Sequence, residues 1–428
     1  MTHSSSSSAA EPVGTPARRA ALKLLDAVLR RGLPLEAALG AVGGLPKPED
    51  RGLARAIASE ALRRLPDLDA LIDSATAKPL PDDAKARFAL RIALVQALVL
   101  GTPPHAAIAT ALPLVDGGPR RLVHGVFGTL MRRQVTLPEP PMLPDPVAMR
   151  WMAAWGETAA EAARAGLAGR PPLDLTLADP ASTAEWAERL GATSLAPGHL
   201  RLDAVSDVTA LPGYAEGVWW VQDLSASLPA RLLGTASQDR SALDLCAAPG
   251  GKTLQLAAAG WRVTAVEMTA HRLARLLENL ERTGLAADTI EADVTRWRPS
   301  TPVDAVLLDA PCSATGIYRR HPDVLHRVRP SAIAELAATQ ASMLARAAEW
   351  VKSGGRLVYA VCSLEPQEGE AVAQAFAALP GCVIDPIRTD ELPEGLAPTP
   401  EGFLRVAPGA LSDAGGCDGF FIARFLKQ

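Results

Sequence analysis

Between Pro16 and about Thr136 apolar residues recur at three- and four-residue spacing, as in Ala20-Ala21-x-x-Leu24-Leu25-x-x-Val28-Leu29, with arginines on the other side. That period follows the 3.6-residue helical turn and predicts amphipathic helices, each with one buried stripe. No strand-like alternation interrupts it. The segment Pro138-Glu139-Pro140-Pro141-Met142-Leu143-Pro144-Asp145-Pro146 cannot propagate a helix, because proline lacks an N–H and fixes φ, so an extended linker is expected there. Residues 147–235 open with a Trp-containing helical pattern and pass to short apolar pieces, Leu173-Asp174-Leu175-Thr176-Leu177 and Gly217-Val218-Trp219-Trp220-Val221. The mixture predicts a small α+β subdomain. After Ser241 apolar runs near 242–246, 261–267, 303–309 and 356–361 predict strands, separated by helical patterns at 252–259, 270–283 and 331–352. Strands alternating with helices predict a parallel, doubly wound sheet, and the run Gly419–Leu426 is expected as an edge strand closing it.

A chain of 428 residues exceeds one ordinary core and suggests two or three domains. The divisions expected are a flexible tail at 1–14, a helical domain at 15–137, the linker at 138–146, the α+β subdomain at 147–235 and the α/β domain at 236–428. The most apolar stretch, Phe88 to Val115, is broken by Arg91, Gln96, Pro103-Pro104 and His105, so it predicts core helices and no membrane span. Five serines after Met1-Thr2-His3 provide no apolar secretory segment. Cys246, Cys312, Cys362, Cys382 and Cys417 are odd in number and contain no Cys-x-x-Cys pair. This argues against a disulfide framework or a zinc site and for a reducing, cytoplasmic setting. Residues 1–140 hold 18 Lys and Arg against 13 Asp and Glu, and the remainder hold 25 against 34. A basic helical part joined to an acidic one is compatible with phosphate binding by the first; a solvated helical face is the simpler alternative.

The run 242–259 is an apolar strand, a small Gly-containing turn and then a helix, the arrangement that places a ligand over a helix N-terminus. Its loop reads Asp244-Leu245-Cys246-Ala247-Ala248-Pro249-Gly250-Gly251-Lys252-Thr253. A Walker A loop would need glycine where Cys246 stands, and no Gly-x-Gly-x-x-Gly fingerprint is present. The following strand ends in Val266-Glu267, suited to ribose hydroxyls, and Asp293 follows the next one.

Two further loops carry cysteines: Leu308-Asp309-Ala310-Pro311-Cys312-Ser313 and Tyr359-Ala360-Val361-Cys362-Ser363. With the loop at 244–253, they make the chain resemble the RsmB/Sun-type RNA cytosine-5 methyltransferases. The resemblance implies an all-α NusB-like N-terminal domain, a small α+β subdomain and a Rossmann-like methyltransferase domain using S-adenosylmethionine. It assigns cofactor contacts to Cys246, Ala247, Ala248, Pro249, Gly250, Gly251, Lys252, Glu267, Arg272, Asp293 and Asp309. Cys362 matches the nucleophile, although valine replaces the family's threonine before it. Cys312 matches the second cysteine, which helps release product, and Asp309 the acid on the cytosine edge. Carbon 5 of cytosine is a poor nucleophile, so a thiolate must first add to carbon 6 and a nearby acid must take up charge at nitrogen 3. A DNA cytosine-5 methyltransferase would instead attack from its Pro-Cys loop, with Cys312; this reading leaves the second loop unexplained.

The stretch Gly316-Ile317-Tyr318-Arg319-Arg320-His321-Pro322-Asp323 also resembles the family. Tyr318, Arg319, Arg320 and His321 are therefore expected to meet RNA, through phosphate contact and base stacking. Ala17-Arg18-Arg19-Ala20-Ala21, Pro104–Ile108 and Arg121–Phe127 carry the NusB likeness; His105 and His124 are expected as packing histidines. Val221-Gln222-Asp223 matches a family triplet ahead of the first strand. Leu175-Thr176-Leu177 departs from the family's Arg-x-Asn and leaves an RNA contact there without support. The expected activity is cytosine-5 methylation of RNA, most of all 16S ribosomal RNA, by a monomer without metal. Transfer RNA as substrate and a non-catalytic ribosome assembly factor are the alternatives.

Overall fold

The structure is a computed structural model that describes residues 11–41, 45, 47–203, 205, 207–237 and 239–428. Of the expected tail, residues 1–10 lie outside the described residues, while residues 12–15 form a turn in which Thr15 N–H donates to Pro12 O at 3.1 Å. The chain divides into two compact units, one of residues up to 149 together with 321–327, the other of 150–320 and 328–428.

The first unit is helical: α1 (Thr15–Leu29), α2 (Leu35–Ala41), α3 (Pro48–Arg63), α4 (Leu65–Ser74), α5 (Lys85–Leu98), α6 (Pro104–Ala111) and α7 (Gly117–Arg132). Every residue of α5 from Ala86 to Gln96 is buried, which places this helix at the centre of a core with Leu24, Leu25, Ile57, Leu62 and Val123. Its arginines are accommodated by pairing: Arg91 lies 2.8 Å from Asp69 and Arg87 2.6 Å from Asp73. The proline-rich stretch is tied down by Arg64 donating to Pro138 O and by the Asp67 carboxylate accepting Met142 N–H. His105 and His124 are exposed, so neither is the packing histidine expected; each falls on the outward side of its helix. The short helix 324–327 belongs to this unit, with His326 Nε2 2.7 Å from Leu62 O.

In the second unit, α8 (Asp145–Ala168), which runs across the division and is kinked at Gly156, precedes a three-stranded antiparallel sheet. That sheet is ordered β2-β1-β3, from β1 (Leu173–Leu177), β2 (His199–Leu202) and β3 (Trp219–Val221), with α9 (Thr183–Leu190) beside it. Asp174 on β1 receives two bonds of 2.7 Å from Arg201 and one of 3.0 Å from Leu224 N–H, where α10 (Leu224–Arg231) begins. Burial opposes the Asp174 charge, but Arg201 and His199 more than offset this and hold its carboxyl well below the usual range.

An eight-stranded sheet follows, made of β4 (Ser241–Leu245), β5 (Arg262–Glu267), β6 (Asp288–Glu291), β7 (Val303–Asp309), β8 (Val351–Val361), β9 (Cys382–Ile384), β10 (Leu404–Val406) and β11 (Phe420–Lys427). The order is β10-β11-β8-β7-β4-β5-β6, with β9 also on β11; β6 to β8 run parallel, while β9, β10 and β11 are antiparallel. Alternate residues feed two cores, Leu243, Val306, Leu308 and Leu357 on one face and Ala242, Ala305, Leu307 and Val358 on the other. Helices cover both: α11 (Gly251–Ala258), α12 (Ala270–Thr283), α14 (Pro330–Glu349) and α15 (Glu370–Ala377), the number α13 being that of the short helix Val324–Arg327 of the first unit. The Rossmann-like class expected from the alternation is present, but β11 lies inside the sheet, flanked by β8 and β10, so it is not the expected edge strand. The helix expected to reach 352 stops at Glu349, and β8 starts at Val351 rather than 356. Among the described residues no helix is long and apolar enough to cross a membrane.

Replacing Asp174 with Ala leaves the Leu224 N–H and the Nε and Nη2 of the buried Arg201 without their acceptor, while Nη1 keeps Ala414 O. A loss of roughly 3–5 kcal/mol is expected, read as a lower melting temperature; unchanged melting would contradict the central place of this carboxylate.

Candidate active site

Parallel strands β4, β5, β7 and β8 all end at one edge of the sheet, which is where open α/β sheets hold ligands. After β4 the chain turns through Cys246, at φ 63°, and Gly250, at φ 109°, into α11. A side chain on Gly250 would be strained by that φ and would meet Leu276 at 3.1 Å; one on Gly251 would meet Gln222 at 3.2 Å. Ala247 and Ala248 are buried, so the loop presents small residues and backbone.

Glu267 ends β5, buried at 1% exposure, with its carboxylate accepting Ala248 N–H at 3.3 Å and Met268 N–H at 2.9 Å. Arg272 braces the same corner, 3.3 Å from Glu267 and 2.8 Å from Ala248 O. Asp293 sits further out and holds a turn through Thr295 N–H at 2.9 Å. Asp244 is fully buried, receives the Thr253 hydroxyl at 2.6 Å on one oxygen and, among the described residues, has no hydrogen-bond partner on the other. Burial pushes its carboxyl up to about 7, against the Thr253 bond. A cavity of about 340 Å³ opens here, lined by Asp244, Ala248, Lys252 and Asp309 together with Trp220 and Asp223. A small-residue cradle with an unpartnered buried carboxylate oxygen fits a cofactor that carries a cationic group.

The two cysteine loops meet beside this cavity. Parallel pairing sets Asp309 of β7 opposite Ala360 of β8, and Ala310 N–H donates to Ala360 O at 3.0 Å. Cys312 and Cys362, 50 positions apart, then lie with their Sγ atoms 3.5 Å from each other, both as free thiols. The hydrogen bond to Cys362 and burial hold the Cys312 thiol well above the usual range. Gly316 closes the arrangement: its N–H donates to Cys362 O at 3.0 Å and its carbonyl accepts Gly419 N–H at 2.9 Å. Lys252 Nζ, one of the expected cofactor contacts, is 2.8 Å from Asp309 Oδ2 and 5.4 Å from the Phe420 ring centre. Burial works against its charge, but Asp309 and Asp244 more than offset this and raise it. Nothing in the sequence marks this ion pair, although the Gly-Gly-Lys spacing places the lysine one residue into α11, facing the end of β7.

The Tyr318–His321 stretch differs from its expectation. Tyr318 is 2% exposed and packs edge-on to Trp151, with ring centres 5.2 Å apart. Arg319 is also buried and donates to Gly415 O. Arg320 bridges Asp223 at 2.8 Å and Asp418 at 3.2 Å. These three side chains are engaged by partners within the protein in place of the phosphate-facing position expected, and His321 falls in the helical unit. Asp223 pairs with Arg320 and also lines the cavity. Burial pushes the Cys246 thiol up to about 12 and raises Cys417 and Cys382 as well. Among the described residues no group of three or more potential metal ligands occurs.

A methyl group on Gly316 would lie 2.0 Å from Gly419 O and 3.0 Å from Cys362 O, both backbone. Gly316→Ala is therefore expected to part the cysteine loops and slow oxidant-driven Cys312–Cys362 disulfide formation by roughly tenfold; mass spectrometry showing the wild-type rate would contradict the geometry. Asp244 keeps its proton in the folded chain at pH values where the unfolded chain has lost it, so its contribution to stability is full below about pH 4 and is lost as pH rises through about 7. Asp244→Asn should flatten the fall in melting temperature of the cofactor-free protein between these limits. An unaltered pH profile would show that Asp244 is ionised throughout.

Residues 230–426 match the family described as 16S rRNA methyltransferase RsmB/F, and residues 15–125 match the NusB family. Two relatives named ribosomal RNA small subunit methyltransferase B, from Klebsiella pneumoniae and Xylella fastidiosa, are 33% and 35% identical to this chain. The first alignment covers 96% of this chain and 98% of the relative, the second 97% and 99%. The fold is shared with the crystal structure of a methyltransferase homolog protein from Pyrococcus horikoshii, at 24% identity and a TM-score of 0.54, covering 67% of this chain and 95% of that one. On sequence similarity over nearly its whole length, the chain belongs to the RsmB/F family of 16S rRNA methyltransferases.

Proposed function

We propose that this methyltransferase modifies carbon 5 of a cytidine in small-subunit ribosomal RNA, with Cys362 as nucleophile. The observation that carries the reading is the pair of free thiols 3.5 Å apart, next to the Lys252–Asp309 ion pair. Bound S-adenosylmethionine supplies the electrophilic methyl group. Residues 246–252, Glu267, Arg272, Asp293 and Asp309 are the groups proposed to hold it.

Cys362, as thiolate, adds to carbon 6 and makes the ring an enamine. Asp309, hydrogen-bonded to the Lys252 ammonium at 2.8 Å, is proposed to hold the cytosine edge at ring nitrogen 3. Cys312 takes the carbon 5 proton, and Cys362 then leaves by elimination. The base must leave its stack to reach these groups, so an unpaired or opened RNA segment is the proposed substrate. The basic NusB-type unit is proposed to dock RNA, and the enzyme to act as a monomer without metal.

Bisulfite sequencing of total RNA from cells with and without the gene tests substrate and reaction together. Loss of one 5-methylcytosine in small-subunit ribosomal RNA is expected; loss confined to transfer RNA would move the substrate, and no loss would favour a non-catalytic assembly role. With purified protein, Cys362→Ala should abolish both methylation and a covalent RNA adduct, while Cys312→Ala should let the adduct accumulate. The opposite pattern would exchange the two roles.

A further inference from the structure

Beneath the two cysteines lies a carboxylate that the reaction above does not use. Glu368, at 0% exposure, sits in the turn that follows β8, its N–H donating to Glu365 O at 3.0 Å. One carboxylate oxygen accepts Ser313 N–H at 2.8 Å and the Gln340 amide at 3.0 Å. The other accepts the Ser363 hydroxyl at 2.6 Å and the Ser313 hydroxyl. All four acceptor positions of an ionised carboxylate are filled by uncharged donors. Ser313 is the residue after Cys312 and Ser363 the residue after Cys362, so one side chain grips both cysteine loops. Further bonds extend the grip: Thr315 Oγ1 accepts Leu364 N–H at 3.0 Å, Ser363 Oγ accepts Glu365 N–H at 3.0 Å, and the Glu368 carbonyl accepts the buried Tyr359 hydroxyl.

Burying a carboxylate without a cation is costly, and apolar packing would join two loops at lower cost. What a carboxylate adds is geometry, because four directed bonds fix two backbones against each other more closely than contact between apolar side chains can. We propose that Glu368 is a positioning residue for methyl transfer, clamping the Cys312 loop to the Cys362 loop and so setting the separation of the two sulfurs. This rests on the reading of those cysteines as the reacting pair. Glu368 touches neither cysteine sulfur through a hydrogen bond; it acts through the serines that follow them.

The test compares Glu368→Ala with Glu368→Gln in the full chain. Glutamine can keep Ser313 N–H and Gln340 on its carbonyl and donate its amide hydrogens to the two hydroxyls, which accept as well as donate. Alanine removes the clamp. The expected result for Glu368→Ala is a kcat on RNA lower by about 100-fold, with KM and cofactor affinity within about twofold of wild type. Oxidant-driven Cys312–Cys362 disulfide formation, followed without RNA, slows in parallel. Glu368→Gln should recover both rates to within about tenfold. Wild-type kcat and disulfide rate in Glu368→Ala would overturn the proposal, as would a glutamine variant as impaired as the alanine one, since the charge and not the clamp would then matter. Should Glu368→Ala fail to fold, Ser313→Ala and Ser363→Ala each cut single ties; a fall in both rates supports the clamp, and wild-type rates in both overturn it. A wild-type protein that methylates no RNA would sink the underlying reading alone, because the disulfide comparison still decides the role of Glu368.

Discussion

The parallel pairing of β7 with β8 is the constraint on which the site depends. Its register sets Asp309 against Ala360, and each strand then delivers a cysteine within the next three residues. Two thiols 50 positions apart in the chain could not be held 3.5 Å apart by local structure. They are held by a ladder whose strands are buried on both faces and whose slip by one residue would turn every side chain to the wrong side. The antiparallel β11 adds the third support, because pairing Phe421 with Val361 brings Gly419 under Gly316 and Phe420 under Lys252.

Around this edge the charges are unequal in a useful way. Asp244, Glu267 and Asp309 converge on a loop with one lysine, and burial decides how the negative charge is shared. Asp309, more open than the others, keeps the lysine as partner, while Asp244 lies too deep to remain ionised cheaply and has one oxygen without a protein donor. The site thus carries the Lys252–Asp309 ion pair at the β7 end and the Asp244 carboxyl at the glycine turn.

Much of this was legible in the sequence where one residue type has one physical use. The Ala-Ala-Pro-Gly-Gly turn announced a close-approach loop, the strand–helix alternation announced a doubly wound sheet, and the family resemblance assigned the cysteines after two strand ends to one reaction. What stayed hidden depended on partners remote in sequence. Tyr318, Arg319 and Arg320 read as an RNA-facing run because they are aromatic and basic, yet Trp151, Gly415, Asp223 and Asp418 are their partners within the fold. β6, β9 and β10, of three or four residues, are too short for a period to show. The placement of β11 inside the sheet needed knowledge of β9 and β10, and the exposure of His105 and His124 needed the helix faces to be fixed first. Glu368 carried no signal at all, since a glutamate in a polar turn reads as solvated until both serines are seen to point at it.

The central claim is that Cys362 attacks and Cys312 assists. Its most direct test is peptide mapping by mass spectrometry of the wild-type enzyme trapped on RNA that carries 5-fluorocytidine, whose ring cannot release the carbon 5 substituent. The account predicts an adduct on the peptide containing Cys362 and none on that containing Cys312; the nucleotide attached to Cys312 would contradict it.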